Sequence, residues 1–371
     1  MLFISFPIIL SKLHLKSLPT ISTVAVKPPS NLLAAVHFVM FSGTKTLKFT
    51  IPRPLDEIQS QAAGLKSDPC KSPHLAATAA AARFGRVCNE AIRDALLKFC
   101  QGAYPCLLID NLFGVNDLPE TPTAMEPLNS SEWWDGAYAA LALIEAIQHR
   151  PVAYKCENDG HLFVNLTALP GSGRLAEKAR LAMRGHTDAC SFPFPSEVAH
   201  WPGLSPAPDV VVLIGYRNPD AVPTCVAPLS AILDKLDEET IEELFKAHFI
   251  IDSQDTFKTP HILTTAPILS FEPARGLSIR FSHSKIMADP DFPKAAKALA
   301  ELQQSVSASF QDVVVAPGSV CLVNNRNAIH GRRLVGGEIG GHSRWLMRTY
   351  ANLKDNLACN ADPERPYLLF P

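Results

Sequence analysis

The sequence has no Cys-x-x-Cys pair, no acidic residue before Asp56 and no arginine before Arg53. Each absence removes a class of protein. Nine cysteines, an odd number without paired spacing, give neither a disulfide framework nor a thiolate zinc site. They fit reduced thiols in a cytoplasmic protein. The apolar run Met1–Leu10 carries its lysines, Lys12 and Lys16, behind it, whereas a secretory signal has its positive charge in front. The run is also far short of the roughly 20 residues that cross a bilayer, and without arginine the segment does not read as a transit peptide. Residues 1–40 are therefore expected to be a non-structural or targeting-like extension, with folding beginning near Met40. A net charge of −2 leaves no electrostatic footprint for nucleic acid. Neither an internal repeat nor a coiled coil is visible, and no membrane association is expected.

What is present is a large apolar fraction. Of 371 residues, 47% are apolar and 19% charged, enough for a substantial core in one domain spanning 41–371. Thirty-one prolines and nineteen glycines predict many loops laid over that core. Thr46–Ile51 alternates as a strand, and Cys106–Ile109, Val210–Tyr216 and Val320–Val323 are apolar throughout, as buried strands are. Leu277–Ser282 alternates again. Helices are predicted over His74–Cys100, Ala137–Gln148, Leu229–Leu236, Glu238–Phe249 and Pro293–Phe310. The Asn158-Asp159-Gly160 turn reads as the tip of a hairpin joining Ala153–Lys155 to His161–Leu166. Polar Ile250–Thr264 reads as an irregular lid. No regular β-α-β alternation exists, so a doubly wound sheet is not expected. The pattern predicts a mainly β protein with appended helices, a jelly-roll sandwich carrying a helical insertion at about 226–310.

Two stretches carry the chemistry. Residues two apart on a strand share a face, so His186 and Asp188 can reach one ion while Thr187 points away. His330 would add the third ligand. Two imidazoles and one carboxylate form the facial triad of Fe(II) oxygenases, leaving positions for a bidentate co-substrate and molecular oxygen. Downstream, Arg344 and Arg348 are separated by four and share a strand face, with Trp345 and Met347 on the other. Arginines on an otherwise apolar strand need anions, and a carboxylate matches the guanidinium fork. Asn165 and Thr167, at a strand end, are candidate contacts for the substrate or co-substrate. Asp252 and Asp255 in the expected lid could meet a cationic side chain. Ser282, His283 and Ser284 could face the pocket, and would then weaken the case for a basic substrate. Cys190 has no base spaced to activate it and reads as a packing residue.

His186-x-Asp188, Asn325-x-x-x-x-His330-Gly331-Arg332 and the trailing Arg344 resemble the Fe(II)/2-oxoglutarate-dependent dioxygenases. More narrowly they resemble the clavaminate synthase-like branch that includes asparagine, arginine and lysine hydroxylases. The resemblance covers roughly residues 75–353. It departs in one place: many members carry Glu where this chain carries Asp188. It implies a distorted double-stranded β-helix, the cupin-like jelly roll, with iron held by His186, Asp188 and His330. It further implies 2-oxoglutarate as co-substrate, its distal carboxylate on Arg344, and Arg348 for a substrate carboxylate. The expected reaction is hydroxylation or desaturation of an unactivated C–H of a free or carrier-bound amino acid in secondary metabolism, with release of succinate and CO₂. Rival expectations are the same chemistry on another small carboxylate or sulfonate, a catalytically silent cupin-like binding protein, and a zinc hydrolase. The last would need a general base and would leave Arg344 unexplained.

Overall fold

Strands that are apolar at every position must be covered on both faces. The computed structural model, which describes residues 45–56, 67–194, 196–197, 205–258, 262–272, 276–354 and 361–370, provides both covers. The expected extension over 1–40 lies outside the described residues.

In chain order the elements begin with β1 (Leu47–Thr50), α1 (Pro73–Val87), α2 (Glu90–Cys100), β2 (Cys106–Asp110) and α3 (Trp134–Ala146). They continue with β3 (His149–Tyr154), β4 (Val164–Thr167), α4 (Arg174–Arg180), β5 (Met183–His186), β6 (Val210–Arg217) and β7 (Thr224–Pro228). Next come α5 (Leu229–Leu233), α6 (Glu238–Leu244), β8 (Phe249–Asp252), β9 (Ile262–Ala266), β10 (Leu269–Glu272), β11 (Gly276–Ile279) and β12 (Ile286–Ala288). The chain closes with α7 (Pro293–Ala308), β13 (Gln311–Val313), β14 (Val320–Asn324), β15 (Ala328–Arg332), β16 (Trp345–Leu353) and β17 (Leu368–Leu369). The protein is thus mainly sheet with helices added, as expected.

One sheet runs β1-β2-β14-β6-β16-β3-β17, with β4 also on β16; a second runs β13-β7-β15-β5. Alternation along the strands assigns their faces. Val210, Val212 and Ile214 of β6, Val320 and Leu322 of β14, and Trp345 and Met347 of β16 pack in one core with α1, α2 and α3. Their neighbours Val211, Leu213, Cys321, Val323, Leu346 and Tyr350 pack in another core with Val226 of β7 and Ala328 of β15. That second core fills the space between the two sheets. Ala227 and Ile329 point out of the smaller sheet into a third core with α5, α6, α7 and β8–β12. Even-numbered positions of β16 therefore face the gap between the sheets, which is the side on which Arg348 lies.

Several local expectations are corrected. The single helix over His74–Cys100 is two, because the Asn89 side chain accepts from the amide of Ile92 and starts α2 afresh. Leu75, Ala82 and Leu97 of these two helices are exposed. The predicted hairpin does not form. β4 and β3 pair with successive halves of β16 and lie end to end along its edge. Asn158 and Asp159 do adopt the positive φ expected of the turn. The stretch expected to be an irregular lid holds β8 and begins β9, and Phe249, expected to end a helix, begins β8. The 226–310 segment is accordingly part helix and part strand. No helix among the described residues is long and apolar enough to cross a membrane.

Candidate metal centre

The site lies where the two sheets open. β5 and β15 pair antiparallel with His186 directly opposite His330, and their imidazole centroids are 4.4 Å apart. Gly331 allows this approach: a Cβ there would sit 2.5 Å from the Met183 carbonyl oxygen. Asp188 lies just past the end of β5, so the strand-parity argument applies to it only loosely. Its position comes instead from clamps on its backbone. Its N–H donates to Asn325 Oδ1 (2.9 Å), and Asn325 Nδ2 donates back to the Asp188 carbonyl (3.0 Å). Gln254 brackets the same stretch, accepting from the Ala189 N–H (2.9 Å) and donating to the Thr187 carbonyl (3.2 Å).

Asp188 Oδ1 is 3.6 Å from His186 Nε2, and Oδ2 is 3.4 Å from His330 Nε2. Those separations are long for hydrogen bonds. Two metal bonds of about 2.1 Å at a right angle place their donor atoms roughly 3 Å apart, so one small ion fits among the three groups. All three ligand atoms lie within 4.8 Å of one another. His186 Nδ1 lies 3.3 Å from the Arg184 carbonyl oxygen, the partner that would hold its proton and leave Nε2 free for a metal. Burial, reinforced by the His330 ring, pushes the His186 imidazole down to about 4, so it is neutral and ready to ligate. Burial alone would raise the Asp188 carboxyl. Arg348, His330 and His186 outweigh it and hold Asp188 below the usual carboxylate range.

Arg348 does not wait empty for an anion. Its Nη2 donates to Glu157 Oε1 at 2.8 Å, and its Nη1 lies 3.6 Å from Asp188 Oδ1. Glu157 Oε1 also accepts from Thr256 Oγ1 (3.1 Å) and Tyr350 OH (3.3 Å). Glu157 escaped the sequence reading, since nothing in its neighbourhood marks it. Arg344 is the opposite case. It is buried, with one long bond from Nη1 to the Leu166 carbonyl (3.4 Å), and no carboxylate pairs with it among the described residues. Burial, with Arg332 nearby, pulls its guanidinium down to about 9. Arg332 was noted only as part of a motif. It lines the cavity, and burial lowers it to about 10.

A cavity of about 360 Å³ opens onto His186 and Asp188 of the triad. Asn165, Thr167, His186, Asp188, Arg332 and Arg348 line it, joined by residues 254–256 and 282–285. Both ends of the Asn165 amide are already used: Nδ2 donates to the carbonyls of Ala124 and Glu126, and Oδ1 accepts from Trp345 Nε1 (2.9 Å). Thr167 Oγ1, by contrast, is buried without a partner among the described residues. Asp252 does not line the cavity and instead caps the Ser253 N–H (2.7 Å); Asp255 does line it. Ser282, His283 and Ser284 face the cavity as anticipated. Cys190 is packed in the core.

No family model matches the chain. Relatives do. L-lysine 3-hydroxylase of Catenulispora acidiphila is 26% identical over 253 residues, 66% of each chain. L-asparagine oxygenase of Streptomyces coelicolor is 26% identical over 207 residues, 54% of this chain and 57% of the relative. The chain thus matches just under two thirds of the first relative's length and less of the second. Among solved structures, an asparagine oxygenase in complex with Fe(II), hydroxyasparagine and succinate superposes with a TM-score of 0.71 at 20% identity, covering 87% of this chain and 99% of the other. The non-haem iron oxygenase OrfP in complex with Fe and α-ketoglutaric acid gives 0.67 at 20% identity, covering 88% and 100%. By sequence and by fold, the chain is similar to the amino-acid oxygenases of the Fe(II)/2-oxoglutarate-dependent dioxygenases, the branch that its own residues resembled.

Proposed function

We propose that the protein is an Fe(II)- and 2-oxoglutarate-dependent oxygenase that hydroxylates an amino acid, built as a single catalytic jelly-roll domain. One observation carries the reading. A His-Asp-His triad spaced for one ion, two of whose members line a cavity with Arg332, lies near Arg344, a buried arginine that no carboxylate pairs among the described residues. A buried cation without an anion is costly, and a dicarboxylate co-substrate removes the cost. A zinc hydrolase would have no use for that arginine.

The residues fit iron. His186 presents a neutral Nε2, the His330 Nε2 lies 3.4 Å from Asp188 Oδ2, and Asp188 presents a carboxylate kept ionised by its neighbours. When bound, iron with 2-oxoglutarate and oxygen supplies the oxidising power that converts C–H to C–OH, with release of succinate and CO₂. The chain supplies positioning. Arg344, with Arg332 and the unpartnered Thr167 hydroxyl, grips the distal carboxylate of the co-substrate. Arg348, which lines the cavity with Nη1 3.6 Å from Asp188 and Nη2 fixed by Glu157, meets the substrate carboxylate. The two sheets and the docked 254–257 segment keep water away from the reacting carbon. Relatives that act on lysine and asparagine support an amino-acid substrate.

The test is to load the protein anaerobically with Fe(II) and 2-oxoglutarate, admit oxygen, and quantify succinate across an amino-acid panel. At least one amino acid should raise succinate well above the level of a His330→Ala control. Absence of an iron-dependent absorption band together with background succinate throughout would remove the reading.

A further inference from the structure

The cavity wall formed by residues 254–256 and 282–285 contains an ion pair that the proposed chemistry does not use. Lys285 Nζ lies 2.9 Å from Asp255 Oδ1 and 3.5 Å from Asp252 Oδ2. The side chains of Lys285 and Asp255 are 14% and 16% exposed, and both line the cavity. Neither is free to drift. Asp255 stands between Gln254, which clamps the backbone on both sides of Asp188, and Thr256, which binds Glu157 and through it Arg348. Lys285 follows Ser282, whose backbone bridges to His186, and its own carbonyl accepts the Asp252 N–H at 2.8 Å. The pair is thus tied to the metal strand at both ends and belongs to the wall rather than to a mobile lid.

We infer that Asp255 and Lys285 determine specificity, selecting an amino acid whose side chain ends in an uncharged donor–acceptor group, a carboxamide or ureide, over one that ends in a cation. The inference rests on the oxygenase reading, which orients the substrate's carboxylate on Arg348. An unpartnered Asp255 would call for a cationic side chain, but Lys285 already holds that place. A second cation would have to displace the Lys285 ammonium from its carboxylates. An acidic side chain would have to displace Asp255 from Lys285. A carboxamide donates to Asp255 and accepts from Lys285 without breaking the pair. Ser282, His283 and Ser284 in the same wall add neutral polar groups suited to such an end. Specificity of this kind lies as much in what the pair repels as in what it binds.

The experiment titrates the iron- and 2-oxoglutarate-loaded protein, without oxygen, with L-asparagine, L-glutamine and L-citrulline, then with L-lysine, L-ornithine and L-arginine, then with L-aspartate and L-glutamate. The perturbation of the iron-dependent absorption band reports binding. The best amide or ureide should bind about tenfold or more tightly than the best cation. Lys285→Met should improve binding of the cationic set by about tenfold or more, and Asp255→Asn should do the same for the acidic set. An unchanged band in the loaded variants, before amino acid is added, shows an intact fold and metal centre, and either variant alone suffices should the other fail to fold. A wild-type preference for a cationic or acidic member, or a ranking that neither variant alters, overturns the inference while leaving the oxygenase reading in place. Absence of the band from the loaded wild type removes both.

Discussion

Arg348 lies within β16 and Arg344 just before it, and their opposite surroundings decide what each can do. Arg348 is bound on one side by Glu157, so its fork is pre-oriented and only part of it is left for a substrate. Removing one member of a buried ion pair leaves the other uncompensated, at a cost of roughly 3–5 kcal/mol. Glu157→Ala should therefore lower stability by about that much in urea unfolding of the metal-free protein, while Glu157→Gln should cost clearly less. Equal, small losses would mean that Glu157 does not hold Arg348. For Arg344 the expectation is separation of two affinities. Arg344→Ala should weaken 2-oxoglutarate binding by about 30-fold or more, as truncating a buried charge contact does, with iron affinity nearly unchanged. Parallel loss of both affinities would make Arg344 structural. The grouping of His186, Asp188 and His330 was legible in the sequence because few other chemistries need those residue types at those spacings. Glu157, Gln254 and Lys285 were not, because each acts only through a partner distant in sequence. Asn165 lines the cavity as a polar strand end, but its amide also bonds Trp345 and a loop carbonyl, partners too distant in sequence to be read from it.

At the scale of elements, the runs apolar at every position were the readable part. β2, β6 and β14 are covered on both faces, and their sequences report it. Weaker signals failed where tertiary partners decide. Asn89 divides a helix that alanine content alone would continue. β3 and β4 prefer the edge of β16 to each other, because β16 offers a longer partner than a three-residue turn can enforce. The β5–β15 pair is the element on which the metal depends. Gly331→Ala would push a methyl against the Met183 carbonyl and force His330 away from His186. Metal affinity measured by anaerobic Fe(II) titration should drop by about 10- to 100-fold, the scale of a disturbed metal support, with the fold retained by circular dichroism. Unaltered affinity would show that the two strands can separate without moving the ligands.

Over the whole molecule, the site is a cost that its ligands repay. Without ligands the protein holds one buried guanidinium that no carboxylate among the described residues balances, and three metal ligands facing one another. Saturating 2-oxoglutarate with iron should therefore raise the melting temperature, with about 2.7 kcal/mol of added stability at a hundredfold excess over the dissociation constant. The metal-free protein should also respond to acid. Unfolded, His186 takes a proton near 6.5, whereas folded it refuses one until about 4. The unfolded state thus binds more protons between those values, so His186 costs nothing above about pH 6.5 and erodes stability as pH falls from there toward 4. Bound metal should leave this slope in place and extend it below pH 4, because it keeps the folded-state nitrogen unprotonated while the unfolded chain still takes up the proton.

The most direct test of the central claim follows the oxygen atoms. Loaded protein is given isotopically labelled dioxygen and the amino acid that best stimulates turnover, and both products are examined by mass spectrometry. The account predicts one labelled atom in succinate and one in a hydroxylated amino acid, in equal amounts, with both lost in Asp188→Ala. Succinate without label, or an amino acid oxidised equally well by the Asp188→Ala protein, would contradict it.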